Sequence, residues 1–268
     1  LSIKLIAIDI DGTLIDSNHQ LSPEVSRVLQ AKSAEGVKIV LCSGRPIIGM
    51  TPFVEELGLM AEKQYTIGYN GSLVQHNGDL EVLVNHTLNY SDFEKIEALS
   101  QEIQVKMHTL DLEKIYTPNK EISEFTVYES YATGVPLTYC ATEDMPRDMI
   151  ISKMMLCEKP EILAAAIKKI PQSFFEDYHL IHSMPFFFEV LNKAASKGNA
   201  LRDLTKLLGI KPSEVMAIGD NENDLDMLEF AGIGVAMGNG TPNVKAIADV
   251  ITKSNDENGV AYAVETWA

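Results

Sequence analysis

The sequence predicts an α/β fold: a doubly wound, mainly parallel sheet interrupted by an inserted α+β segment. Two observations lead there. Short valine- and isoleucine-rich runs alternate with helical patterns at both ends of the chain, the mark of a parallel sheet covered on both faces. The middle of the chain carries hairpin signals instead. A length of 268 residues suits one large domain or two smaller ones, and 46% hydrophobic with 22% charged residues is a globular composition, not a disordered or collagen-like one.

Residues 3–8 read as a buried strand. Ser22-Pro23 then forms an N-cap followed by a first-turn proline, and Val25, Val28 and Leu29 give the next helix one apolar face, ended by Gly36. Residues 37–42 and 65–69 are further strands. The pattern resumes late, with strands at 215–218, 233–237 and 250–252 and helices at Lys197–Leu208, 223–231 and 242–248.

Between these stretches, residues 73–74 and 80–84 flank Asn77-Gly78, a hairpin turn signal. Ser91 with Glu94 three residues on reads as a capping box opening a helix to about residue 103. Strands follow near 105–110, 114–117 and 152–157, then a helix over 160–170 and a hairpin of 179–183 with 186–191. The insertion is therefore expected at 84–193, with the core in 1–83 and 194–268. It holds 13 of the 19 aromatic residues, as a small domain building its own core from large side chains would.

Charge narrows the function. Lysine and arginine total 22 against 38 acids, a formal charge of −16. So acidic a chain binds nucleic acid or an anionic membrane poorly, and an anionic substrate would need positive charge supplied inside the site. The three cysteines (Cys42, Cys140 and Cys157) form no CxxC and suggest no disulfide framework, so a reducing cytoplasm is the simplest setting. No run approaches the ~18 apolar residues of a membrane helix, and Asp9 arrives too early for a secretory signal.

Four short motifs carry the chemistry. Asp9-Ile10-Asp11-Gly12-Thr13 ends the first strand, where alternate residues share a face and both carboxylates can point beyond the strand's carboxyl end. A plain Asp-Gly turn is the alternative. Gly219-Asp220-Asn221-Glu222-Asn223-Asp224 follows residues 215–218 and could converge with it, or simply start the next helix. Neither loop is an EF-hand, because the sixth residues are Leu14 and Leu225 where glycine is needed. Ser43-Gly44-Arg45 offers a hydroxyl and a glycine amide suited to a phosphate oxygen. Lys197-Gly198 places a cation in a first helical turn, against the dipole, which a nearby anion would explain. Asp9, Asp11, Asp220 and Asp224 with one ammonium would make a cluster of net charge −3, which calls for a divalent cation. All-oxygen ligands favour magnesium over zinc.

These motifs, in this order and at these positions, resemble those of the haloacid dehalogenase (HAD) superfamily of aspartate-nucleophile phosphatases. The Asn70-Gly71-Ser72 turn, the large insertion and the ending over 233–239 resemble its Cof-type branch. The resemblance implies a Rossmann-like core with an inserted α+β cap. It implies a magnesium-dependent hydrolase of small phosphate monoesters, sugar phosphates first, acting through an aspartyl-phosphate. Asp9 would be the nucleophile and Asp11 the general acid and base. Magnesium would be held by Asp9, Asp220 and the Asp11 carbonyl, with Asp224 ordering that shell. Gly12, Ser43, Gly44, Lys197 and Asn223 would hold the phosphoryl group. Arg45, Asn70, His108, His182 and Glu189 are candidates to line the substrate cleft.

A phosphomutase would share every motif. A phospho-receiver domain also combines acids, magnesium, a hydroxyl and lysine, but is about half this length and has no such insertion. A phosphate-binding regulator without catalysis is disfavoured by the presence of both Asp9 and Asp11. The expected partner is a small phosphorylated molecule, neither nucleic acid nor membrane. Flavin mononucleotide, pyridoxal phosphate and nucleotides remain open as substrates, and so does the oligomeric state, a homodimer being one option.

Overall fold

Strand β1 (Leu5–Asp9) is buried along its whole length, as an apolar run at the centre of a two-sided sheet must be. The computed structural model describes residues 2–60 and 63–268. From β1 the chain continues through α1 (Pro23–Ala34), β2 (Lys38–Cys42), α2 (Thr51–Glu56), β3 (Tyr65–Gly68), β4 (Leu73–His76) and β5 (Val82–Asn85). The inserted stretch holds α3 (Tyr90–Glu102), β6 (Lys106–Leu110), β7 (Ile115–Thr117), α4 (Glu124–Thr133), β8 (Leu137–Tyr139), β9 (Lys153–Cys157), α5 (Pro160–Ile167), α6 (Gln172–Asp177), β10 (Tyr178–Met184) and β11 (Phe187–Asn192). The chain ends with α7 (Lys197–Leu208), β12 (Val215–Gly219), α8 (Leu225–Phe230), β13 (Ile233–Ala236), α9 (Pro242–Ile247), β14 (Val250–Ile251) and α10 (Gly259–Trp267). Two compact units result: the segments up to Asn85 and from Ser196 to Ala268 form one, and His86–Ala195 forms the other. No described helix is long and apolar enough to cross a membrane.

The first unit is built on an eight-stranded sheet ordered β14-β13-β12-β1-β2-β3-β4-β5. Strands β14 to β3 run parallel, and β4 and β5 are added antiparallel at one edge. Alternation along β1 splits its side chains between two cores. Ile6 and Ile8 pack with Val25, Val28 and Leu29 of α1 and Val260 and Val264 of α10. Leu5 and Ala7 pack with Ala200, Leu201 and Leu204 of α7 and Met227 and Leu228 of α8. Register then sets the site. Ile8 pairs with Ile218, Asp9 with Cys42, and Cys42 with Ile67. The residues that follow (Asp220, Ser43 and Tyr69-Asn70) therefore leave the sheet along one carboxyl edge, where open α/β sheets bind ligands.

Three consecutive residues after β3 are left-handed: Tyr69 at φ 51°, Asn70 at 53° and Gly71 at 90°. The turn is held from both sides. The Tyr69 N–H donates to the Arg45 carbonyl (3.0 Å) and the Asn70 N–H to the Ser43 carbonyl (2.9 Å). A Cβ on Gly71 would lie 2.1 Å from the Ser196 carbonyl oxygen, so only glycine lets this turn meet the start of α7.

The second unit has a six-stranded sheet ordered β10-β11-β9-β6-β7-β8. Its pairings are antiparallel except β7 with β8. One face packs Met107, Met154, Leu156, Phe188 and Val190 against Phe93, Ile96 and Leu99 of α3 and Leu163 of α5. The opposite face carries buried polar groups. His108 is fully buried and hydrogen-bonds Thr126 of α4 through Nδ1 at 2.9 Å. Lys153 lies between Glu129 (3.6 Å) and Glu189 (3.3 Å), all three buried. Burial, with the Lys153 charge, pushes the His108 pKa down to about 3.

Several sequence expectations shift. The capping box of α3 is Asn89 with Asp92, not Ser91 with Glu94. Asn89 Oδ1 accepts from the Ser91 and Asp92 amides, and Asp92 Oδ2 accepts from the Asn89 amide. The hairpin of β4 and β5 forms, but its left-handed residue is Leu80 (φ 61°). Asn77 turns inward, accepting from Thr66 Oγ1 (2.8 Å) and donating to the Leu59 carbonyl (2.9 Å). The helix expected to residue 170 stops at Ile167, and α6 begins after Pro171. Helices α4 and α6 and strand β8 had no sequence assignment. The aromatic residues divide: Phe93, Tyr178, Phe187 and Phe188 are buried, whereas Tyr131 is 89% exposed. His182 is exposed, and Glu189 is buried in the sheet of the second unit.

Two outcomes are expected. His108 stays neutral in the fold while the unfolded chain protonates near pH 6.5, so stability should fall as pH drops below that value, by up to about 1.4 kcal/mol per pH unit. His108→Gln should flatten that slope between pH 6.5 and 4 in urea unfolding. Gly71→Ala combines a left-handed backbone with a clash and should destabilise by about 2–4 kcal/mol, read as a lower thermal midpoint.

Candidate active site

Asp9 is the last residue of β1 and only 5% exposed. Its Oδ1 accepts from Lys197 Nζ at 2.6 Å, and the same ammonium donates to Asp224 Oδ1 at 2.6 Å. Lys197 opens α7, where the Ser196 hydroxyl accepts from the Asn199 amide as cap. The lysine is 1% exposed, so its position against the dipole is compensated by two carboxylates. Burial alone would lower the Lys197 pKa; Asp224 and Asp9 overcome it and raise it. Burial drives Asp9 the other way, well above the usual carboxylate range, with the Asp224 and Asp220 charges opposing the help from Lys197.

Asp220 and Asp224 come from the loop after β12. A Cβ on Gly219 would lie 2.6 Å from Asp224 Cβ, so glycine there lets Asp224 fold back over the strand end. Asp224 Oδ2 accepts from the Asp220 and Asn221 amides at 3.0 and 3.1 Å. Both oxygens of this fully buried carboxylate are thus engaged. Asp220 Oδ1 accepts from Thr13 Oγ1 at 3.1 Å, and Asp220 Oδ2 lies 2.5 Å from where a Gly12 Cβ would sit. Burial, with the Asp224 charge, pushes the Asp220 pKa up to about 6.

Asp9, Asp220 and Asp224 can each bring a carboxylate oxygen within 4.8 Å of the others. Three hard oxygen donors, crowded and partly desolvated, suit a divalent cation such as magnesium. Three carboxylates and the single Lys197 ammonium leave −2, not the −3 expected from four acids. The difference is Asp11. It lies past the strand in a loop where Gly12 turns at φ 81°, and it is not among the three clustered acids. Its carboxylate takes Arg45 Nε and Nη2 at 2.8 and 2.6 Å, with the Asp11 side chain 51% exposed.

Ser43 is buried, and its oxygen accepts from the Arg45 amide at 3.1 Å, which leaves its own proton to donate. Gly44 sits under the Asn70 amide, with a Cβ there 3.0 Å from both Asn70 side-chain polar atoms. Asn70 Oδ1 accepts from Asn223 Nδ2 at 3.0 Å. Gly12, Ser43, Gly44, Asn70, Lys197 and Asn223 thus belong to loops tied to one another at the same sheet edge.

Sequence reasoning missed three supporting residues. Thr13 holds Asp220; its place in the Asp-Gly-Thr run was the available signal. Asp226 Oδ2 accepts from the Gly198 amide at 3.0 Å, fixing the start of α7. Asn239 Nδ2 donates to the Gly12 carbonyl at 2.8 Å. Nothing local marks Asp226 or Asn239, since both act on backbone far away in sequence. Cys42, beside the site, is buried, and desolvation raises its thiol pKa, which makes it an inert strand residue.

Known proteins resemble the chain over nearly its whole length. A family model described as haloacid dehalogenase-like hydrolase matches residues 6–264. The YxeH protein of Bacillus subtilis (strain 168) is 51% identical over 261 residues, 97% of each chain. A haloacid dehalogenase-like hydrolase from Bacteroides thetaiotaomicron superposes with a TM-score of 0.88 at 29% identity, over 98% of this chain and 99% of that one. The HAD subclass IIB sugar phosphatase BT4131 superposes with a TM-score of 0.79 at 25% identity, over 98% of both chains. With its motif loops gathered at one sheet edge and a family match running nearly end to end, the chain belongs to the haloacid dehalogenase-like hydrolases.

Proposed function

We propose that this hydrolase is a magnesium-dependent phosphatase of small phosphate monoesters, sugar phosphates first. The observation that carries the reading is the buried Asp9 carboxylate at the end of β1, held by Lys197 and crowded by Asp220 and Asp224. Similarity to the sugar phosphatase BT4131 supports the substrate class.

Asp9 attacks phosphorus through a carboxylate oxygen, the bond to the leaving alcohol breaks, and an aspartyl-phosphate forms. Asp11 gives a proton to the departing oxygen. It then takes one from the water that attacks phosphorus and releases Asp9. Ser43 and the backbone amides of Gly12 and Gly44 hold phosphoryl oxygens, and Lys197 offsets their charge. Asn223 and Asn70 brace each other beside them. Magnesium would be held by Asp9, Asp220 and the Asp11 carbonyl, and would neutralise phosphate charge. Asp224 fixes Lys197 and the Asp220 backbone and would order that shell. A reducing, cytoplasmic setting suits the three free thiols.

Purified protein with magnesium and a panel of sugar phosphates should release inorganic phosphate without forming an isomer; isomer formation instead would make it a mutase. Asp9→Asn should lower turnover by at least about 10⁴-fold while keeping the fold, and near-normal phosphate release from that variant would refute the nucleophile. EDTA should abolish the activity and excess magnesium restore it; a rate unchanged in EDTA would remove the metal.

A further inference from the structure

The loop after β13 reaches both acidic loops of the site. Its Thr241 amide donates to the Asp220 carbonyl at 2.9 Å, and Asn239 Nδ2 donates to the Gly12 carbonyl at 2.8 Å. The loop is braced in turn. The Met237 amide donates to the Gly219 carbonyl at 2.9 Å, and Lys245 Nζ donates to the Gly238 carbonyl at 2.6 Å. Asn239 has one way to sit. Its Oδ1 accepts from the Asn255 amide at 3.0 Å. A reversed carboxamide would set its oxygen against the Gly12 carbonyl and its amino group against an N–H. Asn239 is exposed, so these hydrogen bonds, not packing, define its connections.

Gly12 needs such an anchor. It turns at φ 81° and ψ 1°, and glycine passes between left- and right-handed backbone at little cost. Two contacts fix it: its carbonyl on Asn239, and the Asp220 carboxylate, whose Oδ2 lies 2.5 Å from where a Cβ would sit. Rotation at Gly12 would turn the two peptides that flank it. One carries the Asp11 carbonyl. The other leads to Thr13, whose Oγ1 donates to Asp220 Oδ1 at 3.1 Å.

We infer that Asn239 is a positioning residue for the divalent-cation site: anchored on the loop that holds the Asp220 backbone, it fixes Gly12 and so keeps the Asp11 carbonyl and the Asp220 carboxylate at the spacing one cation requires. It acts through the backbone, not as a ligand. This rests on the magnesium-dependent reading above and adds the residue that sets its ligand spacing.

Calorimetric titration of magnesium chloride into the ester-free protein tests this without turnover. Asn239→Ala removes both hydrogen bonds and should raise the magnesium dissociation constant about ten-fold, the usual scale for a group that supports a ligand. Asn239→Asp keeps the shape and the bond from the Asn255 amide but turns an oxygen on the Gly12 carbonyl. Added negative charge by itself tightens cation binding. Weaker binding in this variant, measured in about 0.5 M potassium chloride to screen the charge, therefore reports the lost Gly12 contact. Ser17→Ala cuts another exposed tie of the segment after β1, the 2.8 Å bond from Ser17 Oγ to Asp256 Oδ2, and leaves Gly12 alone. It should bind magnesium as the unaltered chain does. Partial misfolding lowers the number of sites and not their dissociation constant, so it does not imitate the expected result. Binding unchanged in Asn239→Ala, unchanged or tighter in Asn239→Asp, or equally weakened in Ser17→Ala would overturn the proposal. An unaltered chain that binds no magnesium would overturn it together with the metal. One that binds magnesium but releases no phosphate from sugar phosphates would defeat the phosphatase reading alone.

Discussion

The ammonium of Lys197 holds the site together. A lysine this buried is costly unless its charge is met directly, and here it is met twice, by Asp9 and by Asp224, each at 2.6 Å. Asp9 ends β1, Asp224 stands in the loop between β12 and α8, and the lysine itself opens α7. One side chain thus ties a helix start to a strand end and to the loop after β12. The backbone around it is pinned as tightly: the Gly198 amide is bound by Asp226, and the Ser196 carbonyl faces Gly71 at a distance no other residue would tolerate. Two glycines allow the lysine's loop to be clasped from both sides.

Around that centre the acids differ in their surroundings. Asp9 and Asp224 are nearly or wholly enclosed, Asp220 is partly so, and Asp11 reaches outward. The enclosed carboxylates are kept apart from water and face one another, which makes them competent to hold a cation or attack an electrophile. The outward one meets a cation that is itself accessible. The two residues of the Asp9-x-Asp11 run are therefore two acids in different dielectric environments. That contrast is what the proposed nucleophile and proton carrier would require of their surroundings.

Much of this was legible in the sequence, and the reasons are local. The parallel strands were readable because each is a short β-branched run ending at a motif, and α7 because Ser196 caps it and Gly209 stops it at φ 67°. The convergence of Asp9, Ser43, Lys197 and Asp220 followed from their shared place at strand ends and helix starts. What failed was whatever depended on exact backbone path. The exposed ion pair of Asp11 with Arg45 was not foreseen, because it depends on how the chain leaves the strand after Asp9. Asn77-Gly78 marked a hairpin but not its conformation, because Asn77 is spent inside on Thr66 and Leu59. The α3 cap was displaced by two residues because Asn89 and Asp92 offer the same chemistry as Ser91 and Glu94. Thr13, Asp226 and Asn239 were invisible because their partners are distant backbone or side-chain groups.

The unit His86–Ala195 leaves and rejoins the rest of the chain at just two peptide links, after Asn85 and before Ser196. Asn85 ends β5, an outermost strand of the eight-stranded sheet. Every residue of the acid and lysine cluster lies outside that unit, and the unit has its own apolar interior. Its sequence can consequently be altered without rethreading the eight-stranded sheet. A chain wired this way can remodel one unit while the reactive groups of the other keep their places.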